Sequence, residues 1–202
     1  MAFGPAGYRQ TIACIKKQGV LYNTYTTAKS MLTSATSVVG VSDQLPLIAP
    51  PMYYDGHKFR VVFQAGVSNI VTTPGTMNVQ VVIGGVAVYD SGAIIVTTTA
   101  HTLAPMWGEI DLTLDTSGNG TLAKFRGMGR FTGLMLQNSG AAAADITTGG
   151  IATIINNGNT APALGTGFNS SVSNAIDFFV GFSISNAGNG FQLWEYEVID
   201  CN

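Results

Sequence analysis

The sequence has little charge for its length. Charged residues make up 10% of its 202 residues, against about 25% in ordinary soluble domains. Nine lysines and arginines oppose eleven aspartates and glutamates, which leaves a formal net charge of −2. Such a chain has no long-range attraction for phosphate backbones or anionic membranes. We therefore expect neither a nucleic-acid partner nor a membrane partner, and we expect neutral surfaces covered by other subunits.

Long apolar runs and metal-binding clusters are also missing. No stretch approaches the roughly 18 apolar residues of a membrane-spanning helix, and no secretory signal is expected, because no apolar region follows Arg9, Lys16 and Lys17. Cys14 and Cys201 lie at opposite ends of the chain, outside any Cys-x-x-Cys motif. We expect free thiols in a chain folded in a reducing cytoplasm, with a disulfide between the termini as the alternative. We expect no metal and no cofactor.

Residues for catalysis are equally scarce. His57 and His101 are the only histidines, no G-x-S-x-G motif accompanies them, and their predicted loop positions indicate solvent-facing side chains. The carboxylates pair at two-residue spacing, with an apolar residue or tyrosine between them: Glu109 with Asp111, and Glu195 with Glu197. Such pairs could serve a glycosidase, but the alternation is typical of the solvated face of a strand. We therefore predict that the protein is not an enzyme and has no catalytic residues.

A β-hairpin is the clearest positive signal. Residues 76–90 alternate apolar and polar side chains on both sides of Gly84 and Gly85, as in antiparallel strands joined by a turn with positive φ. Pairing of Ile83 with Val86 predicts a buried face of Met77, Val79, Val81, Ile83, Val86 and Val88. The predicted outer face is uncharged and consists of Asn78, Gln80, Val82, Ala87 and Tyr89.

Similar strands recur between residues 58 and 199, separated by short turns and two long late loops at 136–150 and 156–174. This spacing predicts an all-β fold, an antiparallel β-sandwich of the jelly-roll type with about eight strands. An immunoglobulin-like topology is the alternative. We place the domain at residues 51–202. Residues 1–50 have weak periodicity, and we interpret them either as an extended N-terminal arm or as edge strands that include residues 11–15.

The hairpin at residues 107–130 carries the densest charge pattern. An Asn-Gly turn at 119–120 predicts that Asp115 faces Lys124 and that Glu109 faces Arg130, with Arg126 between them. Phe125 and Phe131 are predicted to point inward, away from the basic side chains, so the hairpin lacks the stacking platform of a single-stranded nucleic-acid site. We interpret it as a solvated face, with a subunit contact as the alternative.

Four aromatic residues are candidates for carbohydrate binding: Tyr53, Tyr54, Tyr89 and Trp194. Strand alternation places Trp194 with Tyr196 and Val198, which predicts that it is packed in the core. Tyr53 and Tyr54 lie at the start of the domain, where anchoring the arm is the simpler role.

Several short motifs resemble a family of tailed-bacteriophage virion structural proteins. They include GVSNIVTTPGTMNVQVVIGGVAVYDSGAI, AHTLAPMWGEIDLTL, GMGRFT and AIDFFVGFSISNAGNGFQLWEYEV. The resemblance implies a β-sandwich that assembles on a phage after synthesis in the host bacterial cytoplasm. It transfers no active residue, because these motifs are turns and strand faces.

Two functional hypotheses follow. The first is a capsid decoration or cement protein that binds and stabilises the particle as a homo-oligomer, with a trimer favoured and the major capsid protein as its partner. The alternative is a tail or baseplate component, with a receptor-binding tip that recognises a glycan. The alternative predicts exposed aromatic and Asn/Asp clusters on the loops at 138–150 or 156–174.

Overall fold

The computed structural model describes residues 10–15, 18–19, 21–33, 45–70, 75–137, 152–156 and 167–201. A short 3₁₀ helix spans Pro50–Met52. The strands in chain order are β1 (Gln10–Ile15), β2 (Tyr22–Asn23), β3 (Lys29–Ser30), β4 (Leu47–Ile48), β5 (Lys58–Asn69), β6 (Thr76–Ile83), β7 (Val86–Asp90), β8 (Ile94–Val96), β9 (His101–Thr116), β10 (Lys124–Gly133), β11 (Leu136–Gln137), β12 (Ala152–Asn156), β13 (Asn174–Phe182) and β14 (Gly190–Asp200).

The strands form two antiparallel sheets. The front sheet has the order β1-β14-β5-β9-β10-β12, and the back sheet has the order β11-β8-β6-β13-β3, while β2, β4 and β7 pair beside these paths. The chain crosses from one sheet to the other between β2 and β3, between β4 and β5, between β5 and β6, and between β8 and β9, and it crosses again between β13 and β14. Such crossings between two antiparallel sheets are typical of a jelly roll. The predicted all-β antiparallel sandwich is confirmed. Residues 101–106 begin β9, which is 16 residues long.

The described parts of the N-terminal region lie on the edges of the sandwich. β1 and β2 pair with β14, whereas β3 and β4 pair with β13. These pairings supply neighbours for strand edges that would otherwise present unpaired backbone groups. Residues 1–9 and 34–44, which are parts of the predicted arm, lie outside the described residues, and the domain boundary at residue 51 stays a prediction.

Aromatic rings fill the space between the sheets. Phe63 of β5 and Phe178 of β13 are fully buried, and their ring centroids lie 4.7 Å apart. Full burial of such side chains stabilises a fold by about 1.5–3 kcal/mol each. Phe125 and Phe131 are also fully buried, which confirms their predicted inward direction.

The Gly-Gly hairpin forms with the predicted turn but with a different outer face. Gly84 and Gly85 have φ of 59° and 80°, and Ile83 pairs with Val86. The pairing then shifts, because Val81 lies opposite Tyr89 while Val82 lies opposite Ala87. This β-bulge turns the Tyr89 ring into the core, where it is 1% exposed. The prediction that Tyr89 faces outward was wrong, whereas Val86 packs against the core from the predicted face and is partly buried.

The position of the Tyr89 ring explains why β10 has glycine at positions 127 and 129. A Cβ atom added to Gly127 would collide with the Tyr89 ring, and one added to Gly129 would collide with the Tyr89 hydroxyl and lie 2.7 Å from Cζ of Phe131. The tyrosine therefore occupies space that side chains at these two positions would need.

We predict that Gly129→Ala lowers the free energy of unfolding by about 1–3 kcal/mol, as overpacking of a core does. Met128→Ala, at an exposed position of the same strand, should change it by less than about 0.5 kcal/mol. Chemical denaturation measures both. Because Tyr89 is the obstacle, Tyr89→Ala should reduce the effect of Gly129→Ala in a double-mutant cycle. Purely additive effects would contradict this packing.

A buried carboxylate joins the N-terminal region to the back sheet. Asp177 is 6% exposed, and its Oδ1 accepts hydrogen bonds from Ser30 Oγ at 2.8 Å and from the Phe178 backbone amide at 2.7 Å. Burial raises the pKa of Asp177 above its usual value, although these two bonds lower it. The native state therefore holds the Asp177 proton more tightly than the unfolded chain does.

We predict that this proton makes stability depend on pH. A raised native pKa contributes stability that is fully present below the unfolded pKa and is lost as pH rises through the native pKa. Asp177→Asn keeps the Oδ1 acceptor and has no proton to lose. Its free energy of unfolding relative to the wild type should therefore increase between about pH 4 and pH 7, measured by urea denaturation across that range. A difference independent of pH would contradict the raised pKa.

Candidate functional site

A row of outward-facing side chains crosses the front sheet. Gln64 of β5 pairs with Trp107 of β9, and Trp107 pairs with Thr132 of β10. Their chain neighbours Phe63 and Phe131 point into the core, so alternation sends the row to the opposite face. Sheet pairing thus places an amide, an indole and a hydroxyl on three adjacent strands.

This row forms the floor of a groove of about 420 Å³. Both tryptophans of the chain contribute to it. Among the residues that the structure describes, those that line it are uncharged: Gln64, Pro105, Met106, Trp107, Thr132, Gly133, Leu134 and Trp194. The volume falls within the range of about 300–1,000 Å³ that is usual for small-molecule sites.

A β-bulge in β14 brings Trp194 to this groove. Leu193 pairs with Ala65 and Glu195 pairs with Gln64, so Trp194 is the extra residue between them. Leu193 is therefore buried, whereas Trp194 and Glu195 both lie on the outer side. The prediction that Trp194 packs in the core was wrong, because strict alternation cannot anticipate an inserted residue.

The Trp194 ring lies against Gly66 of β5. A Cβ atom added to Gly66 would lie 2.5 Å from Cζ2 of Trp194 and 3.2 Å from Cβ of Leu103. Leu103 has a φ of 51°, a left-handed conformation that is uncommon for a leucine. The Trp194 indole N–H donates to Gln192 Oε1 at 3.3 Å. The ring is thus held by a glycine beneath it and an amide beside it.

The predicted carboxylate pairs face outward beside this groove and are half-buried. Arg60 of β5 binds Asp111 with two hydrogen bonds of 2.7 and 3.0 Å and approaches Glu109 at 3.3 Å. Glu197 accepts a hydrogen bond of 2.7 Å from Thr11 Oγ1. The carboxylates therefore belong to strand-to-strand contacts of the sheet surface.

The charge pairs of the 107–130 hairpin are partly as predicted. Glu109 lies opposite Arg130, but the ion pair that Glu109 forms is with Arg60. A register shift places Lys124 opposite Thr116 rather than opposite Asp115. Arg126 binds Asp115 at 2.7 Å; such surface pairs contribute about 0–1 kcal/mol.

His57 is buried, contrary to the prediction that it faces solvent. It is 2% exposed, and its ring stacks on Phe59 with centroids 4.4 Å apart. Nε2 lies 3.0 Å from Asp200 Oδ1. Burial lowers the pKa of His57, and Asp200 partly offsets this. His101 begins β9 opposite Asn69 and is half-buried.

The other aromatic candidates lie away from the groove. Tyr53 and Tyr89 are buried, whereas Tyr54 is 49% exposed and contacts His57 edge-on. The predicted loop clusters at 138–150 and most of 156–174 lie outside the described residues. Within the described ranges, no three metal-binding side chains come together, no helix is long and apolar enough to cross a membrane, and Cys14 and Cys201 are free thiols.

The outer face of the Gly-Gly hairpin lines a second groove, on the back sheet. This groove has a volume of about 470 Å³, and the described residues that line it are uncharged: Thr26, Thr27, Ala28, Asn78, Gln80, Val82, Gly85, Ala87 and Phe179. Asn78, Gln80, Val82 and Ala87 therefore lie on the outer face, as predicted.

The front groove has the chemistry of a sugar site. Indole faces can stack against the apolar C–H faces of a sugar ring, while amide and hydroxyl groups can hydrogen-bond its hydroxyls. Trp107 and Trp194 lie on β9 and β14, which are separated only by β5. At about 4.8 Å between neighbouring strands, β9 and β14 lie roughly 9–10 Å apart, a separation at which the two indoles could contact different units of one glycan chain.

We predict that Gly66→Ala displaces Trp194, because the added methyl group would occupy the position of the ring. The change is best measured in a Trp107→Phe background, in which Trp194 is the sole tryptophan. Its fluorescence emission should shift to longer wavelength as the ring moves into water. Val62→Ala, an outward change on the same strand, is the control. An unchanged spectrum for Gly66→Ala would show that the ring is not seated on Gly66.

Comparison with known protein families finds no match for this sequence. Comparison with curated proteins finds none either. Among solved structures, the chain is similar to the CBM2 module of the evolved Dit of Lactobacillus casei BL23 phage J-1, with 12% identity, coverage of 98% of each chain and a TM-score of 0.32. A TM-score this low does not establish a shared fold, and we draw no function from it.

Proposed function

We propose that this protein is a non-enzymatic structural component of a tailed-phage virion that binds a glycan through the front groove. This favours the tail or baseplate alternative over capsid decoration. The observation that carries the proposal is a groove that places both tryptophans of the chain on one sheet face, among described lining residues that are all uncharged. A glycan on a host surface is the ligand that fits a receptor-binding role.

Two further features support a place in a virion. The short motifs between residues 58 and 199 resemble virion structural proteins, and the low charge of 10% suits a surface covered by neighbouring subunits. The back groove, whose described lining residues are uncharged, is the surface that we assign to such a contact. Its partner would be another virion protein or another copy of this chain.

Capsid decoration remains the second hypothesis and requires a different kind of surface. A cement protein needs large, well-fitted interfaces rather than a groove of about 420 Å³ with two aromatic anchors. The two hypotheses place the chain on different parts of the particle, which antibody labelling of virions distinguishes. Our proposal predicts labelling of the tail. Labelling over the head would overturn our assignment.

The binding function is tested with an array of neutral and acidic bacterial surface glycans. We expect the purified protein to bind a subset of them. Trp194→Ala and Trp107→Ala should each weaken that binding by about tenfold or more, because aromatic anchors commonly contribute more than about 1.4 kcal/mol. Tyr54→Ala removes an exposed aromatic ring outside the groove and should leave binding unchanged.

Two results would refute the proposal. One is an array on which the wild-type protein binds no glycan. The other is binding that survives both tryptophan substitutions while their thermal unfolding matches that of the wild type.

A further inference from the structure

Residues 18–19 of the N-terminal region contact β14 beside the tryptophan groove. Gly19 N–H donates to the Leu193 carbonyl at 2.6 Å, and Gln192 Nε2 donates to the Gly19 carbonyl at 2.6 Å. Gln18 Nε2 donates to Gln192 Oε1 at 3.1 Å. Residues 18–19 therefore bind both the backbone of the bulge in β14 and the side chain that precedes it.

Gln192 connects residues 18–19 to Trp194 by hydrogen bonds. Its Oε1 accepts from Gln18 and also from the indole N–H of Trp194 at 3.3 Å. Its Nε2 is committed to Gly19, so the amide cannot rotate without breaking bonds on both sides. A side chain fixed in this way holds the indole at a defined angle over Gly66.

We propose that Gln192 is a positioning residue through which residues 18–19 set the orientation of Trp194, and that the N-terminal region thereby controls the groove. The proposal deepens the glycan-binding function and rests on it for its biological role, whereas the coupling itself stands on the hydrogen bonds alone. A subunit contact that lifts residues 18–19 from β14 would release Gln192 and reorient one of the two anchors.

Burial and exposure favour this role over one in stability. Gln18 is exposed, while Gln192 and Trp194 are both half-exposed on the outer face. Exposed polar substitutions usually change stability by less than about 0.5 kcal/mol. A change at Gln18 should therefore move the tryptophan with little effect on folding.

The test uses the indole N–H signals in a ¹H–¹⁵N NMR spectrum of the full chain. The chain has two tryptophans, and Trp107→Phe assigns their two signals. Gln192→Leu removes the acceptor and should shift the Trp194 signal upfield. Gln192→Glu keeps an acceptor oxygen and should prevent that upfield shift. Gln18→Leu, one step further away, should also move the Trp194 signal and leave the Trp107 signal in place.

Gln10→Leu is the matched control, because it makes the same chemical change at an exposed position of β1 and should move neither signal. Thermal unfolding of each variant confirms folding. A Trp194 signal unmoved by Gln192→Leu or by Gln18→Leu would overturn the proposal.

Glycan affinity separates this proposal from the function on which it rests. We expect Gln18→Leu to weaken binding several-fold on the glycans that the wild type binds. A shifted Trp194 signal in a protein that binds no glycan would support the positioning role and refute the proposed function. A shifted Trp194 signal with unchanged glycan affinity would refute the claim that the N-terminal region controls the groove.

Discussion

Burial of one face of each long strand is the constraint on which the rest of this structure depends. Successive side chains point to opposite faces of a sheet. The residues next to the aromatic side chains packed between the two sheets therefore face outward. The burial of Phe63 and Phe131 therefore also places Gln64 and Thr132 on the outer face. The floor of the groove follows from the packing of the core.

Two β-bulges modify this constraint with opposite results. The bulge in β7 turns Tyr89 inward, where two glycines of β10 make room for it. The bulge in β14 turns Trp194 outward, where Gly66 makes room for it. Bulges redirect side chains in this way near functional sites. Each redirected ring therefore depends on glycine in another strand, which links residues far apart in the chain.

Most of the fold could be predicted from the sequence because its strands alternate regularly. The Gly-Gly turn, the inward phenylalanines and the outward carboxylates all follow from period-2 patterns and turn chemistry. The positions of Trp194 and Tyr89 could not be predicted, because the inserted residue of a β-bulge is not visible in the alternation of side chains. The burial of His57 could not be predicted either, because it depends on packing against Phe59 and Asp200. Trp107 was missed as a site residue, although its alternation with buried neighbours indicates an outward position.

The groove forms only where segments that are distant in the sequence come together. Its floor joins β5, β9 and β10, its rim is a bulge in β14, and residues 18–19 hold that rim. A spacing motif cannot encode such an arrangement, since its residues come from four strands and from residues 18–19, which lie far apart in the sequence. This explains why the sequence favoured a cement protein, whereas the surface of the folded chain favours a glycan-binding one.

The central claim is that a glycan occupies the front groove. The most direct measurement is a crystal structure of the protein with a bacterial surface oligosaccharide bound. The account predicts sugar rings against Trp107 and Trp194, with the chain running across β14, β5 and β9. An oligosaccharide bound in the back groove beside Phe179, or on a loop with both indoles uncovered, would contradict it.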